Sequence, residues 1–134
     1  MQLKEGKNGW ENFGPGCLAS IVLHYDGEET IALEFHSNRE SDRCEVIMDW
    51  EEEIKSFRQL FQELYYREKR QCKLYPDDFR GLMMRGAFQP DEFELTFLKN
   101  YQFVRVVMEL EKSRQFLETV ERMFMGPGRY ELHF

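Results

Sequence analysis

A cysteine and a histidine offer the simplest route to covalent catalysis in this chain. Cys17 stands before one alternating apolar run and His36 ends the next, with Asp26-Gly27 between the runs. If Asp26 and Gly27 form a two-residue hairpin turn, Cys17 and His36 lie opposite each other on two strands. Such a pair could supply a thiolate nucleophile once a third group orients the imidazole. The sequence shows no third group, and a four-residue turn would move the partner of His36 to Ala19.

A metal site is the second chemistry that the residue types allow. The imidazole and carboxylate groups concerned are His24, Glu29, Asp49, Glu51 and Glu53. Ligand sets that are rich in oxygen suit Mg²⁺ or Mn²⁺. Their spacing is not distinctive, and the widely spaced Cys17, Cys44 and Cys72 do not indicate a zinc site or a disulfide framework. We predict no catalytic residues and no cofactor, and a small metal- or thiol-dependent enzyme stays as an alternative.

The distribution of charge favours binding over catalysis. The 134-residue chain has a formal net charge of −7, which argues against direct contact with nucleic acid or an anionic membrane. The charge is compatible with solubility alone and with a protein partner that has a basic surface. We predict a partner-binding patch that consists of Asp26, Glu28, Glu29, Asp49, Glu51, Glu52 and Glu53. Its last three glutamates stand where a helix begins, so favourable interaction with the helix dipole is the simpler explanation for them.

A basic segment follows the first predicted helix. Basic residues outnumber acidic ones over residues 67–85, and an Arg-Gly pair occurs twice. We predict residues 72–91 to be an irregular connector with a possible ligand or partner contact at Arg80, Met83, Met84 and Arg85. The two arginines could hold a small anion, or they could pair with the protein's own carboxylates. The two methionines could equally plug one end of the core as part of a short strand.

Alternating apolar residues predict the strands that carry these groups. Phe93–Leu98 and Tyr101–Leu110 flank Lys99-Asn100, and Asn suits the positive φ of a tight turn. In that register Phe93 faces Val106 and Leu95 faces Val104. Opposed residues share a sheet face, and a slip by one residue would exchange the two faces.

The first half of the chain repeats this pattern. Leu18–Tyr25 and Glu29–His36 flank Asp26-Gly27, which places Val22 opposite Ile31. A third strand follows, with Cys44, Val46, Met48 and Trp50 on one face. The three strands form an antiparallel meander.

Two apolar stripes predict the principal helices, at about residues 51–68 and 114–125. The first stripe consists of Ile54, Phe57, Leu60, Phe61 and Leu64, and the second of Phe116, Leu117, Val120, Met123 and Phe124. Ser113 would cap the second helix and Gly126 would end it. We predict one α+β domain over residues 1–134: an irregular segment 1–16, then a mainly antiparallel sheet of about five to seven strands with both helices packed on it.

The order of these elements resembles that of small bacterial proteins of the toxin-immunity type. The residues that carry the resemblance are Trp50 with Phe57-Arg-Gln-Leu-Phe61, then Phe93-Glu-Leu-Thr-Phe97 and Val104-Arg-Val-Val-Met108, and the closing helix to Phe124. The resemblance covers about half the chain, rests on apolar spacing, and implies a stoichiometric inhibitor.

We therefore predict a non-enzymatic protein-binding module, such as an inhibitor, immunity or anti-defence protein that blocks a basic or nucleic-acid-handling enzyme. An anionic-ligand sensor or accessory subunit that uses Arg80 and Arg85 is the alternative, beside the enzyme already named. The first residues lack the apolar segment of a signal peptide, and the apolar runs are too short to span a bilayer. We expect a cytoplasmic location.

Overall fold

The computed structural model describes residues 2–4, 10–39, 43–100 and 102–134, with side chains from Asn12 onward. In chain order the elements are β1 (Gln2–Lys4), β2 (Trp10–Phe13), β3 (Leu18–Tyr25), β4 (Ile31–Ser37), β5 (Arg43–Met48), α1 (Glu51–Phe61), a π-helical turn (Gln62–Tyr66), β6 (Gln71–Asp77), β7 (Leu82–Phe88), β8 (Glu92–Lys99), β9 (Gln102–Glu109), α2 (Leu110–Met125) and β10 (Gly128–His133).

The strands form two five-stranded sheets. Sheet A has the order β1-β5-β4-β3-β10, and sheet B has the order β2-β9-β8-β7-β6. Within the described ranges, neighbouring strands are antiparallel apart from β2 and β9, which are parallel. The α+β class, the antiparallel majority and the two helices are confirmed. The sequence predicts one sheet, but the strands divide between two sheets. Strand β2 joins sheet B, and strand β10 returns to sheet A.

Both sheets turn one face toward a shared core, so the chain forms a single α+β domain. The apolar residues of β3, β4 and β5 that face inward are buried, and Phe35 of sheet A meets Phe13 of sheet B with ring centroids 6.2 Å apart. The α1 helix packs against β6 and β7, and α2 contacts strands of both sheets. Apolar residues of the two helices close the core between the sheets.

The β8–β9 hairpin keeps the predicted faces in a different register. Phe93 pairs with Met108 and Leu95 pairs with Val106, so the register is shifted by two residues from the predicted one. Asn100 has the expected positive φ, at 52°, while the predicted strand residue Tyr101 lies outside the described residues. A shift by two leaves every side chain on its predicted face.

The β3–β4 hairpin differs from its predicted register by three residues, which exchanges the faces. Tyr25 pairs with Ile31, and Val22 lies opposite Glu34 on the outer face. The turn is longer than Asp26-Gly27 because the N–H of Asp26 donates to the carbonyl oxygen of Thr30 at 3.2 Å. The meander of β3, β4 and β5 and the buried Cys44, Val46 and Met48 agree with the sequence.

The helices bury the predicted stripes, but α2 begins about one turn earlier than predicted. Ser113 is not its N-cap: the residue is buried inside the helix, and its Oγ donates to the carbonyl oxygen of Leu110 at 2.6 Å. The Ser113 hydroxyl therefore has a hydrogen-bond partner inside the helix. The helix begins at Leu110, directly after β9 ends at Glu109. Gly126 ends the helix as predicted, and its N–H donates to the carbonyl oxygen of Arg122 at 2.7 Å.

Two segments predicted to be irregular contain strands. Within residues 1–16 the structure has β1 and β2, and residues 5–9 lie outside the described residues. The predicted connector 72–91 consists largely of β6 and β7, which extend sheet B. Met84 is fully buried and Met83 is nearly so, which contradicts their prediction as contact residues and agrees with the alternative of a strand that plugs the core.

An ionic cluster of Glu63, Arg67 and Lys69 stabilises the π-helical turn, and this stabilisation should depend on pH. Glu63 pairs with Arg67 at 2.9 Å and with Lys69. Hydrogen bonding from Lys69, followed by the charges of Arg67 and Lys69, holds the pKa of Glu63 below its ordinary value of 4.5 although burial opposes this. Because the folded state has the lower pKa, this stabilisation is complete above the ordinary value and is lost as the pH falls through the folded value.

We therefore expect Glu63→Gln to lower the melting temperature more at neutral pH than at pH 3. Circular dichroism melts at both pH values measure this difference. Glu118→Gln, at an exposed position in the interior of α2, is the matched control. An equal loss at both pH values would show that the glutamate acts through packing and not through its charge.

Candidate functional site

Two of the predicted acidic segments lie side by side at one end of sheet A. The pairing of Ile31 with Met48 puts the end of β5 beside the start of β4. The β3–β4 loop and the junction between β5 and α1 are therefore neighbours. Their exposed carboxylates are Asp26, Glu28, Glu29, Asp49, Glu51 and Glu52.

A third segment, which the sequence analysis assigned to the basic connector, reaches the same place. The turn between β6 and β7 carries Asp77 and Asp78, and the guanidinium carbon of Arg80 lies 5.8 Å from the centroid of the Trp50 ring. Trp50 directly precedes α1, so this contact joins the turn to the first two segments. We call the combined set the acidic end: Asp26, Glu28, Glu29, Asp49, Glu51, Glu52, Asp77 and Asp78.

Not every predicted carboxylate is available to a partner. Glu53 is 0% exposed and so is not part of the outer surface. Lys55 pairs with Glu51 at 3.2 Å and with Glu52 at 3.9 Å, but all three side chains are well exposed. Exposed pairs of this kind are weak and readily exchanged. Glu51 and Glu52 therefore remain accessible to a positively charged surface.

Asp26 has a structural role in its own loop. One of its oxygens, Oδ1, accepts the N–H groups of Glu28, Glu29 and Thr30 at 2.8, 2.9 and 3.1 Å. The bonds from Glu28 and Thr30, and then that from Glu29, lower the pKa of Asp26 below its usual range. The carboxylate therefore stays charged while it shapes the loop that presents Glu28 and Glu29.

A small cavity of about 210 Å³ lies where the acidic end meets sheet B. Its lining consists of Asp49, Trp50, Glu53, Arg80, Leu82 and Lys99. Acidic and basic groups both line it, so the cavity itself selects no charge. The cavity shows that Trp50 and Arg80 lie at the edge of a recess and not on a flat surface.

The predicted anion site is not assembled. Arg80 lies in the β6–β7 turn and pairs with Asp77 at 3.3 Å. Arg85 lies on β7 itself, where it donates to the side-chain oxygen of Gln71 at 3.3 Å. Within the described residues, Arg80 thus pairs with a carboxylate and Arg85 with an amide oxygen, so the two arginines have different partners.

The predicted Cys17–His36 pair is not formed either. His36 pairs with Ser20 and lies 3.5 Å from Glu34, while Leu18 pairs with Ser37. The thiol of Cys17 is exposed and contacts the carbonyl oxygen of Pro15 at 3.9 Å. The longer β3–β4 loop accounts for this separation, because it moves His36 away from the predicted position.

The metal-ligand hypothesis also lacks its expected geometry. His24 pairs with Ala32 and not with Glu29. Over the ranges that the structure covers, no group of three or more histidine, cysteine, aspartate or glutamate side chains is placed to hold a metal ion. His36 and His133 each lie beside a glutamate, Glu34 at 3.5 Å and Glu131 at 3.3 Å.

A larger groove that no sequence signal indicated lies between the π-helical turn after α1 and the first half of α2. Its volume is about 540 Å³, and it is lined by Leu64, Tyr65, Glu68, Phe88, Leu110, Ser113, Arg114, Leu117 and Glu118. These residues come from three distant parts of the chain, which is why local patterns could not reveal the groove. Charged side chains of both signs line it, so the groove favours no class of charged ligand.

Among the helices that the structure describes, none is long and apolar enough to cross a membrane.

Of the predicted sites, the acidic end is the only one whose residues come together from several segments, among the residues described. Comparison of this chain with protein-family models, curated proteins and solved structures found no match, so its function is inferred from the geometry of its surfaces.

Proposed function

We propose that the protein is a non-enzymatic binding module whose acidic end docks on the basic surface of another protein. The observation that carries this proposal is the convergence of carboxylates from three separate segments around the half-exposed Trp50. An acidic surface raises the rate of encounter with a basic partner, while aromatic side chains supply much of the affinity after contact. A stoichiometric inhibitor that covers a basic or nucleic-acid-handling enzyme would use these two properties.

The alternatives have less support. An anion sensor built on Arg80 and Arg85 would need both guanidinium groups at one site, and the two make separate contacts. A thiol-dependent enzyme would need Cys17 near His36, and the register of β3 and β4 separates these two residues. A metal-dependent enzyme would need at least three histidine, cysteine, aspartate or glutamate side chains placed around one ion, and the described residues contain no such group.

Charge reversal at the start of α1 tests the proposal. A partner is first isolated from the native host by affinity purification, and association rates are then measured by stopped flow over a range of salt concentrations. We expect Glu51→Lys with Glu52→Lys to slow association by about tenfold or more at low salt, and the difference to shrink as salt screens the charges.

The control changes net charge by the same amount elsewhere. Glu111→Lys with Glu118→Lys alters two exposed glutamates of α2, next to the groove and away from the start of α1. The control should slow association much less. A partner whose association rate ignores both salt and the reversal at Glu51 and Glu52 would show that the acidic end is not the interface.

A further inference from the structure

Phe79 stands apart from every other aromatic side chain that the structure describes. It is 99% exposed, at the turn between β6 and β7. A phenylalanine gains nothing for folding in such a position, since it buries no surface of its own. Single exposed apolar residues are common on proteins. What distinguishes Phe79 is therefore the construction of the turn and the identity of its neighbours.

The turn that presents Phe79 is braced by hydrogen bonds at both ends. The side chain of Asp77 accepts the N–H of Arg80 at 3.1 Å, and the carbonyl oxygen of Asp78 accepts the N–H of Gly81 at 3.1 Å. Gly81 has a φ of 65°, and its carbonyl oxygen accepts the N–H of Asn100 at 3.1 Å. The β6–β7 and β8–β9 turns thus support each other, so binding through Phe79 would require little further ordering of the backbone.

The neighbours of Phe79 are of the types that carry binding energy in protein interfaces. Arg80 lies over the ring of Trp50, which is 42% exposed. Tyr75, on β6 just before the turn, is 53% exposed. Tryptophan, tyrosine and arginine are the residues most enriched among interface hot spots. Phe79 with these three neighbours forms what we call the aromatic tip.

Charge around the aromatic tip restricts the kind of partner. Asp78 adjoins Phe79, and Glu51 and Glu52 follow Trp50 directly. The basic groups at the tip are Arg80, which pairs with Asp77, and Lys73, which lies over the ring of Tyr75. The exposed carboxylates of Asp78, Glu51 and Glu52 would repel nucleic acid and an anionic lipid surface, and they would attract a protein surface rich in lysine or arginine.

We propose that Phe79 is the anchor of the interface: its ring enters an apolar pocket of a protein partner, and lysine or arginine residues beside that pocket meet the acidic end. This inference rests on the proposed binding function and specifies how contact is made. Carboxylates would guide the approach, while the rigid aromatic tip would determine how long the complex lasts.

Site-specific photo-crosslinking tests the anchor and captures the partner in the same step. Phe79→p-benzoylphenylalanine is expressed in the native host and irradiated. p-Benzoylphenylalanine at position 55, beside Glu51 and Glu52 of the acidic end but outside the tip, reports on docking alone, since the side chain of Lys55 is 65% exposed. Position 134 is the negative control, because Phe134 is 38% exposed and lies beside Ala19, at the other end of β3 from the acidic end.

The partner crosslinked at position 79 is then purified and titrated with full-length variants. Phe79→Ala should weaken binding by about 30-fold or more, as expected for a hot-spot residue. Phe79→Trp should restore part of the affinity, and Phe134→Ala should change it by less than about twofold. The melting temperature of Phe79→Ala should match that of the parent protein, because the side chain makes no buried contacts.

The outcomes separate the anchor from the docking function. A protein adduct at position 79, none at position 134, and the loss with Phe79→Ala support both. An adduct at position 55 without one at 79, or unchanged affinity of Phe79→Ala, overturns the anchor and leaves the docking function standing. No protein adduct at position 55 or 79 overturns both, and an adduct with lipid at position 79 overturns the assignment of a protein partner.

Discussion

Replacing Met84 with lysine is expected to lower the free energy of unfolding by several kcal/mol, a large fraction of the stability of a domain. Met84 is 0% exposed on β7, between Leu74 of β6 and Phe97 of β8. A lysine there would have to bury its ammonium group or lose its proton, and either costs several kcal/mol, about 3–5 for an unpaired buried charge. That cost is comparable with the whole stability of a domain, about 5–15 kcal/mol.

The same substitution at an exposed methionine is the control. Met125→Lys, at the end of α2, should change the free energy of unfolding by less than about 0.5 kcal/mol. Urea unfolding followed by circular dichroism compares the two variants. If Met84→Lys unfolded at the same urea concentration as the parent, Met84 would be a surface contact residue, as the sequence predicts, and the position of β7 in sheet B would be wrong.

Gly86→Val is expected to produce the second large loss of stability. A Cβ atom at Gly86 would lie 2.4 Å from Cδ1 of Leu64 and 3.2 Å from Cζ of Phe93. The Leu64 side chain can shift toward the groove that it lines, but Phe93 is fully buried and has little room to move. Overpacking of this kind typically costs about 1–3 kcal/mol, and the valine methyl groups should place the variant at the upper end.

A double-mutant cycle with Leu64→Ala tests the cause of that loss. Leu64→Ala alone should cost about 2–5 kcal/mol, because it leaves a cavity beside Gly86. In the Gly86→Val background it should cost less, by a coupling of about 0.5–3 kcal/mol, since valine fills part of that cavity. If the two losses simply add, the contact between Leu64 and β7 does not explain the need for glycine.

The two hairpins show how far local patterns predict a register. Alternation alone located β3, β4, β8 and β9, but the registers depended on loop chemistry. In the hairpin that contains Asn100, the register differs from the predicted one by an even number of residues, so the inward faces were predicted correctly. In the hairpin that follows Asp26, one carboxylate oxygen accepts three N–H groups, and the loop is longer than predicted. The register therefore differs from the predicted one by an odd number of residues, so the predicted faces were wrong.

Strand β7 was missed for another reason. Leu82 and Met84 face the core, but Met83 and Ala87 on the other face are also buried. A strand that is apolar on both faces has no alternation to recognise. Its burial depends on β6 and β8 on either side, which local sequence does not specify.

The candidate site was predictable only in part. Carboxylates of the β3–β4 loop and of the start of α1 form clusters along the chain, and their proximity follows from the antiparallel meander. Asp77, Asp78 and Phe79 were grouped with basic residues by sequence position, although the basic side chains nearby are paired: Arg67 and Lys69 with Glu63, and Arg80 with Asp77. Ion pairs between residues close in sequence thus offset part of the positive charge that the composition of this segment shows.

The exchange of strands between the two sheets has a consequence for how the protein emerges from the ribosome. A nascent chain that contains β3 to β5 leaves one edge of β3 unpaired until Gly128–His133 has been synthesised. Likewise β2 must wait for β9, more than half the chain later. Unpaired edges invite pairing with other chains, so these segments depend on protection during translation. Sheet A is complete only after β10 has been synthesised and pairs with β3, so the completion of folding is a late event.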